Sequence, residues 1–198
     1  MMRLLVLVLM AVLTLSCSSP DLPPPDGCGR TFIVAPEFTK AERIAMASAV
    51  ERWNEISNEA FCLKPAQKVG EAEVVNHGVY RIPYKGAYWQ EWSKALGNVD
   101  FIGLHFGRSD QIGIVDSLSP ESFELVALHE FGHAHGLGHL PPPAIMCAYV
   151  GTASDFTAND MRECERVGAC SSGQDAEAPP TSVDLPPITQ ATLAPERP

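Results

Sequence analysis

The residues of this chain whose types and spacing can do chemistry crowd into one short stretch: His129-Glu130-Phe131-Gly132-His133, then Gly136 and His139. Two histidines four apart on a helix lie on one face, one turn apart, where both imidazoles reach a single metal ion. Glu130 sits beside that face. Gly136 can adopt a positive φ, which ends the helix and turns the chain back. His139 then follows where it can supply a third nitrogen. Three histidines form a catalytic zinc set, because they leave the fourth tetrahedral position open to water. The metal lowers the pKa of that water from about 15.7 to about 7. Glu130 is the natural base, taking the water proton and passing it to a leaving amine. A bare His-Glu-x-x-His can be a helix with two solvent-facing histidines. With this chain's own residue frequencies, however, the five-position pattern arises by chance on the order of 10⁻⁵.

Elements that can position these residues are legible around them. Ser119 can cap a helix opened by Pro120, a favoured pairing, and the helix runs on through "ESFELVALHEFGHAHG". "RTFIVA" at 30–35 is β-branched and aromatic and reads as a strand. Thr39 and Glu42 form a capping box, followed by Ile44, Ala47, Val50, Trp53 and Ile56 at three-residue spacing, which predicts a long amphipathic helix. Residues 73–84 read as a strand or hairpin, and two short strands follow in "DFIGLHFGRSD" and "QIGIVDS". Gly103, Gly107 and Gly113 mark bulges or close approaches there. Thr157 and Asp160 form a second capping box, opening a last helix through Arg166.

The 198-residue chain is 45% hydrophobic and 19% charged, which excludes wholesale disorder. A net charge of −10 argues against nucleic-acid partners, which require a basic face. Residues 1–16 read as a signal peptide: Arg3, an apolar run over 4–13 that is shorter than the ~20 residues needed to span a bilayer, then Ser16 before Cys17. "LTLSC" resembles a bacterial lipoprotein signal, which makes Cys17 a lipidation candidate. Residues 17–27 would then be a stiff Pro-rich tether and the lipid the sole membrane attachment. Residues 28–170 form the domain, and the Pro/Ala/Thr-rich residues 171–198 read as a disordered tail. Cysteines in an exported chain are disulfide candidates first. Cys28 and Cys62 are placed to clamp the N-terminal unit, while Cys147, Cys164 and Cys170 cannot be paired from sequence.

"HEFGHAHGLGH" resembles the long zinc signature of the metzincin metallopeptidases, and "LVALHEFGH" resembles the matrixin branch. In that likeness "AIMCAY" is the Met-turn, with Met146 beneath the zinc ligands. Gly138 and Leu140 depart from the matrixin pattern, and the structural-zinc and calcium loops of animal matrixins are not recognisable. His77 and His105 read as ordinary surface or core histidines, and His135 as solvent-facing. No prodomain is recognisable, and Cys28 in "DGCGR" reads as a disulfide partner rather than a latency switch.

The resemblance implies an α/β metzincin fold: a twisted, mixed and mostly parallel sheet, two long helices and a C-terminal helix. An edge strand within 110–116 would align an extended peptide by strand addition. The side chain after the cut bond would enter a pocket beside Leu125 and Tyr149. The implied function is zinc-dependent endopeptidase action, with one catalytic ion, by a monomer on proteins or peptides outside the cytoplasm. A non-catalytic secreted binding protein of the same fold and a zinc amidase acting on cell-wall peptides are the alternatives. Intact Glu130 with all three histidines argues against the first.

Overall fold

A computed structural model describes residues 27–149 and 151–170. The sequence-based signal, the tether apart from Gly27, Cys17 and the tail lie outside the described residues. The architecture is mixed α/β. Chain order is β1 (Arg30–Val34), α1 (Lys40–Ile56), β2 (Phe61–Pro65), β3 (Gly78–Ile82), α2 (Ala87–Ala95), β4 (Gly103–Phe106), β5 (Gln111–Val115), α3 (Pro120–Ala134) and α4 (Ala158–Arg166). The five strands form one sheet in the order β2-β1-β3-β5-β4. All neighbours pair in parallel except β4, which runs antiparallel to β5 with His105 opposite Ile112.

α1 begins at the expected capping box: Glu42 N–H donates to the Thr39 hydroxyl and Thr39 N–H to the Glu42 carboxylate. Its buried face differs from the expected stripe. Ala45, Met46, Ala49, Val50 and Trp53 are buried, whereas Ile44 is 61% exposed. Steps of three residues slip by about 60° each around a 3.6-residue helix, so such a stripe leaves the core; mixed three- and four-residue steps stay on it. Trp53 is fully buried, and its indole N–H donates to the Leu128 carbonyl at 2.7 Å, locking α1 to α3. Phe32 of β1 packs edge-on against Phe131 of α3, so this helix pair covers one face of the sheet. α2 covers the opposite face, where Trp92 packs edge-on against Tyr80 and Phe106.

Three sequence expectations change. Residues 73–84 contain the single strand β3 rather than a hairpin, because residues 73–77 turn before it. β2 and α2 were not anticipated. β2 is short and ends in Pro65, and α2 starts at Gly86 without a side-chain cap. The edge strand is β4, not the 110–116 segment: β5 lies inside the sheet between β3 and β4.

Cys28 bonds to Cys62, as the clamp reading expected, and Cys164 bonds to Cys170; Cys147 is buried outside both bridges. Closing the 34-residue loop stabilises the fold by roughly 3–4 kcal/mol in the chain-entropy model. Two disulfides fit an oxidising, extracytoplasmic environment. Among the described residues, no helix is long and apolar enough to cross a membrane.

Candidate metal centre

α3 starts as its sequence dictates. Ser119 accepts from Ser122 N–H, and Pro120 fills the first turn, where its missing N–H costs nothing. At the other end Gly136 takes φ +92°, with Leu137 N–H donating to Gly132 O at 3.0 Å and Gly136 N–H to His133 O at 2.9 Å. These two bonds make a Schellman cap, which only a residue free to enter the left-handed region closes without strain. The cap reverses the chain and returns His139 to the helix face that carries His129 and His133.

The three imidazoles converge, with ligand nitrogens within 4.8 Å of one another, and the group can hold a metal ion. His133 Nε2 lies 3.2 Å from His139 Nε2. Two nitrogens bound to one tetrahedral zinc stand about 3.3 Å apart. The tautomers follow from the partners. His129 Nδ1 lies 2.8 Å from Ile145 O and His133 Nδ1 2.8 Å from Leu137 O. A carbonyl only accepts, so both Nδ1 atoms donate and both Nε2 lone pairs face the shared point. Burial is the main cause that lowers the pKa of His129 and brings His133 down to about 4, so both are neutral, ligand-ready imidazoles at neutral pH.

Glu130 lies next to this group and is 5% exposed. Burial pushes its carboxyl up to about 8, and its buried Oε2 has no hydrogen-bond partner among the described residues. A cation at the three nitrogens favours the ionised form, opposing that shift.

Met146 is fully buried against Gly132 of α3. A Cβ on Gly132 would lie 2.9 Å from Trp53 Cζ2 and closer still to Met146 Sδ, so the glycine within the histidine motif admits the thioether. The Met146 backbone is held from α4. The fully buried Asp160 carboxylate accepts from Ile145 N–H and Met146 N–H, each at 3.0 Å, and from Thr157 N–H and its hydroxyl, each at 2.8 Å. The capping box at Thr157 was legible in sequence; the second role of Asp160, carrying the loop that orients His129 through Ile145 O, was not.

A cleft of about 650 Å³ opens over the imidazoles and Glu130. Leu96, Val99, Phe101, Leu118, Ser122 and Tyr149 line its apolar parts. Tyr149 is therefore where sequence expected it, but Leu125 is not: it is half-buried against the core, and Ser122, a turn earlier in phase with His129, faces the cleft instead.

Two of the other histidines depart from expectation. His135 is 9% exposed, not solvent-facing, and stacks on Phe61 at 3.8 Å with Trp53 at 5.0 Å. It does lie away from the metal group, but that side of α3 meets β2 and α1 rather than water. His105 lines the cleft with its ring nearly parallel to His133 at 6.1 Å, and its Nε2 is 3.0 Å from Asp110. Asp110 also lies 3.2 Å from His77 Nδ1 and accepts from Arg30 at 2.9 Å. Arg30 in turn donates to Ala134 O at 2.8 Å, tying the sheet to the end of α3. A lone histidine in a strand gives no sequence signal for such a position.

No family model matches the chain, and no curated protein matches it.

Proposed function

We propose that the chain is a zinc-dependent metalloendopeptidase of the metzincin type, matrixin-like, acting on proteins or peptides outside the cytoplasm. One observation carries the reading: three imidazole nitrogens and a buried carboxylate converge on the floor of a single cleft. The donors fit zinc, being three nitrogens, two of them with tautomers fixed by carbonyls, and an open side toward the cleft. Zinc held there would supply a Lewis acid for the scissile carbonyl and make water an effective nucleophile near neutral pH.

The chain's own residues supply the rest. The Ile145 and Leu137 carbonyls keep two ligand rings in register with the third. Glu130 takes the proton of the attacking water and delivers it to the departing amine nitrogen. The free edge of β4 accepts an extended peptide by strand addition, beside the imidazoles. The substrate side chain next to the cut bond enters between Leu118, Ser122 and Tyr149. Met146, buried against the glycine within the histidine motif, supports the family reading as the Met-turn.

The test is digestion of a quenched fluorescent peptide library by zinc-loaded protein, with and without a chelator. Cleavage lost on chelation and restored by zinc is expected. Absence of cleavage of any peptide by the zinc-loaded protein, or cleavage indifferent to chelation, overturns the reading.

A further inference from the structure

Of the three glycines that punctuate the strands near the cleft, Gly103 has surroundings unlike the others. It opens β4, and its α-carbon faces α3 at the level of Glu130. A Cβ at this position would lie 2.6 Å from Val126 Cγ1 and 3.0 Å from Glu130 Cδ, and closer still to Glu130 Oε1. Real Cβ contacts under 3.0 Å are essentially never seen, so something must shift. Val126 has no room to give: it is fully buried, and β-branching holds it to one rotamer on a helix. Gly113 approaches only the flexible tip of Ile82 and the ring of Tyr80, and Gly107 has open space where its Cβ would be. Gly103 does not occupy the left-handed region, so its backbone would admit alanine. Space alone requires glycine there.

We infer that Gly103 is a positioning residue for Glu130: a side-chain-free position in the edge strand leaves the room in which the carboxylate sits beside the three imidazoles. The glycine that the sequence marks as a bulge or close approach is thereby part of the device that fixes the base. A methyl group at 103 either rotates the carboxylate away or lifts β4 from α3. The first moves Glu130 relative to the metal group and the second removes the wall that holds it there; both leave the ligands, which come from α3 and the turn after it, in place. The catalytic consequence rests on the peptidase reading; the steric one does not.

The experiment therefore has two arms on the full chain. In the first, melting temperatures are compared for the parent, Gly103→Ala, Glu130→Ala and the double variant. Gly103→Ala is expected to lower Tm by roughly 3–10 °C, the range for overpacking a well-filled site. The drop is expected to be measurably smaller when Glu130 is already alanine, because the coupled partner is gone. Equal drops in both backgrounds overturn the inference. If Gly103→Ala does not fold, a folded double variant supports the inference, and a double variant that also fails to fold overturns it. In the second arm, zinc content and peptide hydrolysis are measured together. Gly103→Ala should bind one zinc as the parent does, yet lose about 10-fold or more in kcat with KM little changed. Gly107→Ala should match the parent in both. A Gly103→Ala variant with parental kcat overturns the positioning role. A parent that cleaves nothing overturns the peptidase reading alone, and the melting cycle still decides whether Gly103 makes room for Glu130.

Discussion

The cleft has a floor and a roof, and they are held by different kinds of contact. The floor is α3, the turn to His139 and the loop carrying Met146. Its joints are directional: a Schellman cap at Gly136, two imidazole-to-carbonyl bonds, and a buried carboxylate that clamps the loop through Ile145 and Met146 N–H. α3 buries residues on both sides, from Phe123 to Ala134. The roof is β4 and the loop before it, backed by α2 on the other face of the sheet. Within α2 only Ser93 is buried. The roof has two side-chain hydrogen bonds, from Trp89 to the Phe101 carbonyl and from Tyr84 to Asp100, and is otherwise held by ring packing: Trp89 stacks on Phe101 at 5.5 Å and meets Tyr84 edge-on, and Trp92 meets Phe106 edge-on at 4.2 Å. Directional contacts fix atoms to a few tenths of an ångström, which metal ligation demands. Ring packing tolerates readjustment, which suits a wall that meets varied side chains.

Substitutions can break that contrast, beginning with the floor. His133→Ala removes one of three nitrogens and should lower zinc affinity by a factor of ~10² or more, read as lost metal stoichiometry in native mass spectrometry. Full retention would mean that the three histidines are not the ligand set. Asp160→Ala leaves Ile145 N–H and Met146 N–H buried without an acceptor and should cost roughly 3 kcal/mol or more in urea unfolding. A cost no larger than that of an exposed cap would show that the loop is held by other means.

The underside of the floor gives a pH test. Burial, with Arg30 as a lesser cause, lowers His135 from 6.5 to about 4 in the folded chain. The unfolded chain therefore binds the extra proton first as pH falls. The stabilisation from keeping this ring neutral is complete above about pH 6.5 and is lost progressively toward pH 4, by up to about 3 kcal/mol. His135→Phe keeps the stack on Phe61 and should lose less stability than the parent over that window in chemical unfolding at fixed ionic strength. Parallel losses in the two proteins would show that the ring is not protected from protonation. The smallest effect is expected in the roof. Trp89→Phe keeps a ring against Phe101 but loses the indole donor to the Phe101 carbonyl, and should cost about 1 kcal/mol without changing zinc content. Loss of metal in this variant would erase the distinction between floor and roof.

The same contrast explains what could be read in advance. The floor is written in short-range signals: histidines at i and i+4, Ser119 and Pro120 at one end of α3, Gly136 at the other, and Thr157 with Asp160 opening α4. Each acts within a turn or two of the residue it positions. Of the disulfides, Cys28–Cys62 was legible because its two cysteines flank β1 and α1. The roof depends on partners distant in sequence. Whether β4 or β5 lies at the edge is decided by which one pairs with β3, and neither strand's own residues say so. α2 lacks a side-chain cap, and its tryptophans face a sheet whose order must already be known. His105 reaches His133 only because β4 runs antiparallel to β5. Leu125 and Ser122 differ by about 60° around α3, and helical periodicity alone does not say which of them faces the cleft. Ile44 failed for a related reason, since a three-residue stripe drifts off the buried face.

In the proposed activity the chain hydrolyses peptides with Glu130 as the proton carrier beside a zinc held by His129, His133 and His139. Glu130→Gln tests it most directly, because the side chain keeps its size and donates no ligand in the proposed arrangement. Zinc stoichiometry and hydrolysis of a cleaved library peptide are to be measured on the same preparations of parent and variant. One zinc per chain is expected in both, with a fall in kcat of ~10²–10⁴ in the variant. A variant that keeps its zinc and cleaves at the parental rate would contradict the proposed role of Glu130.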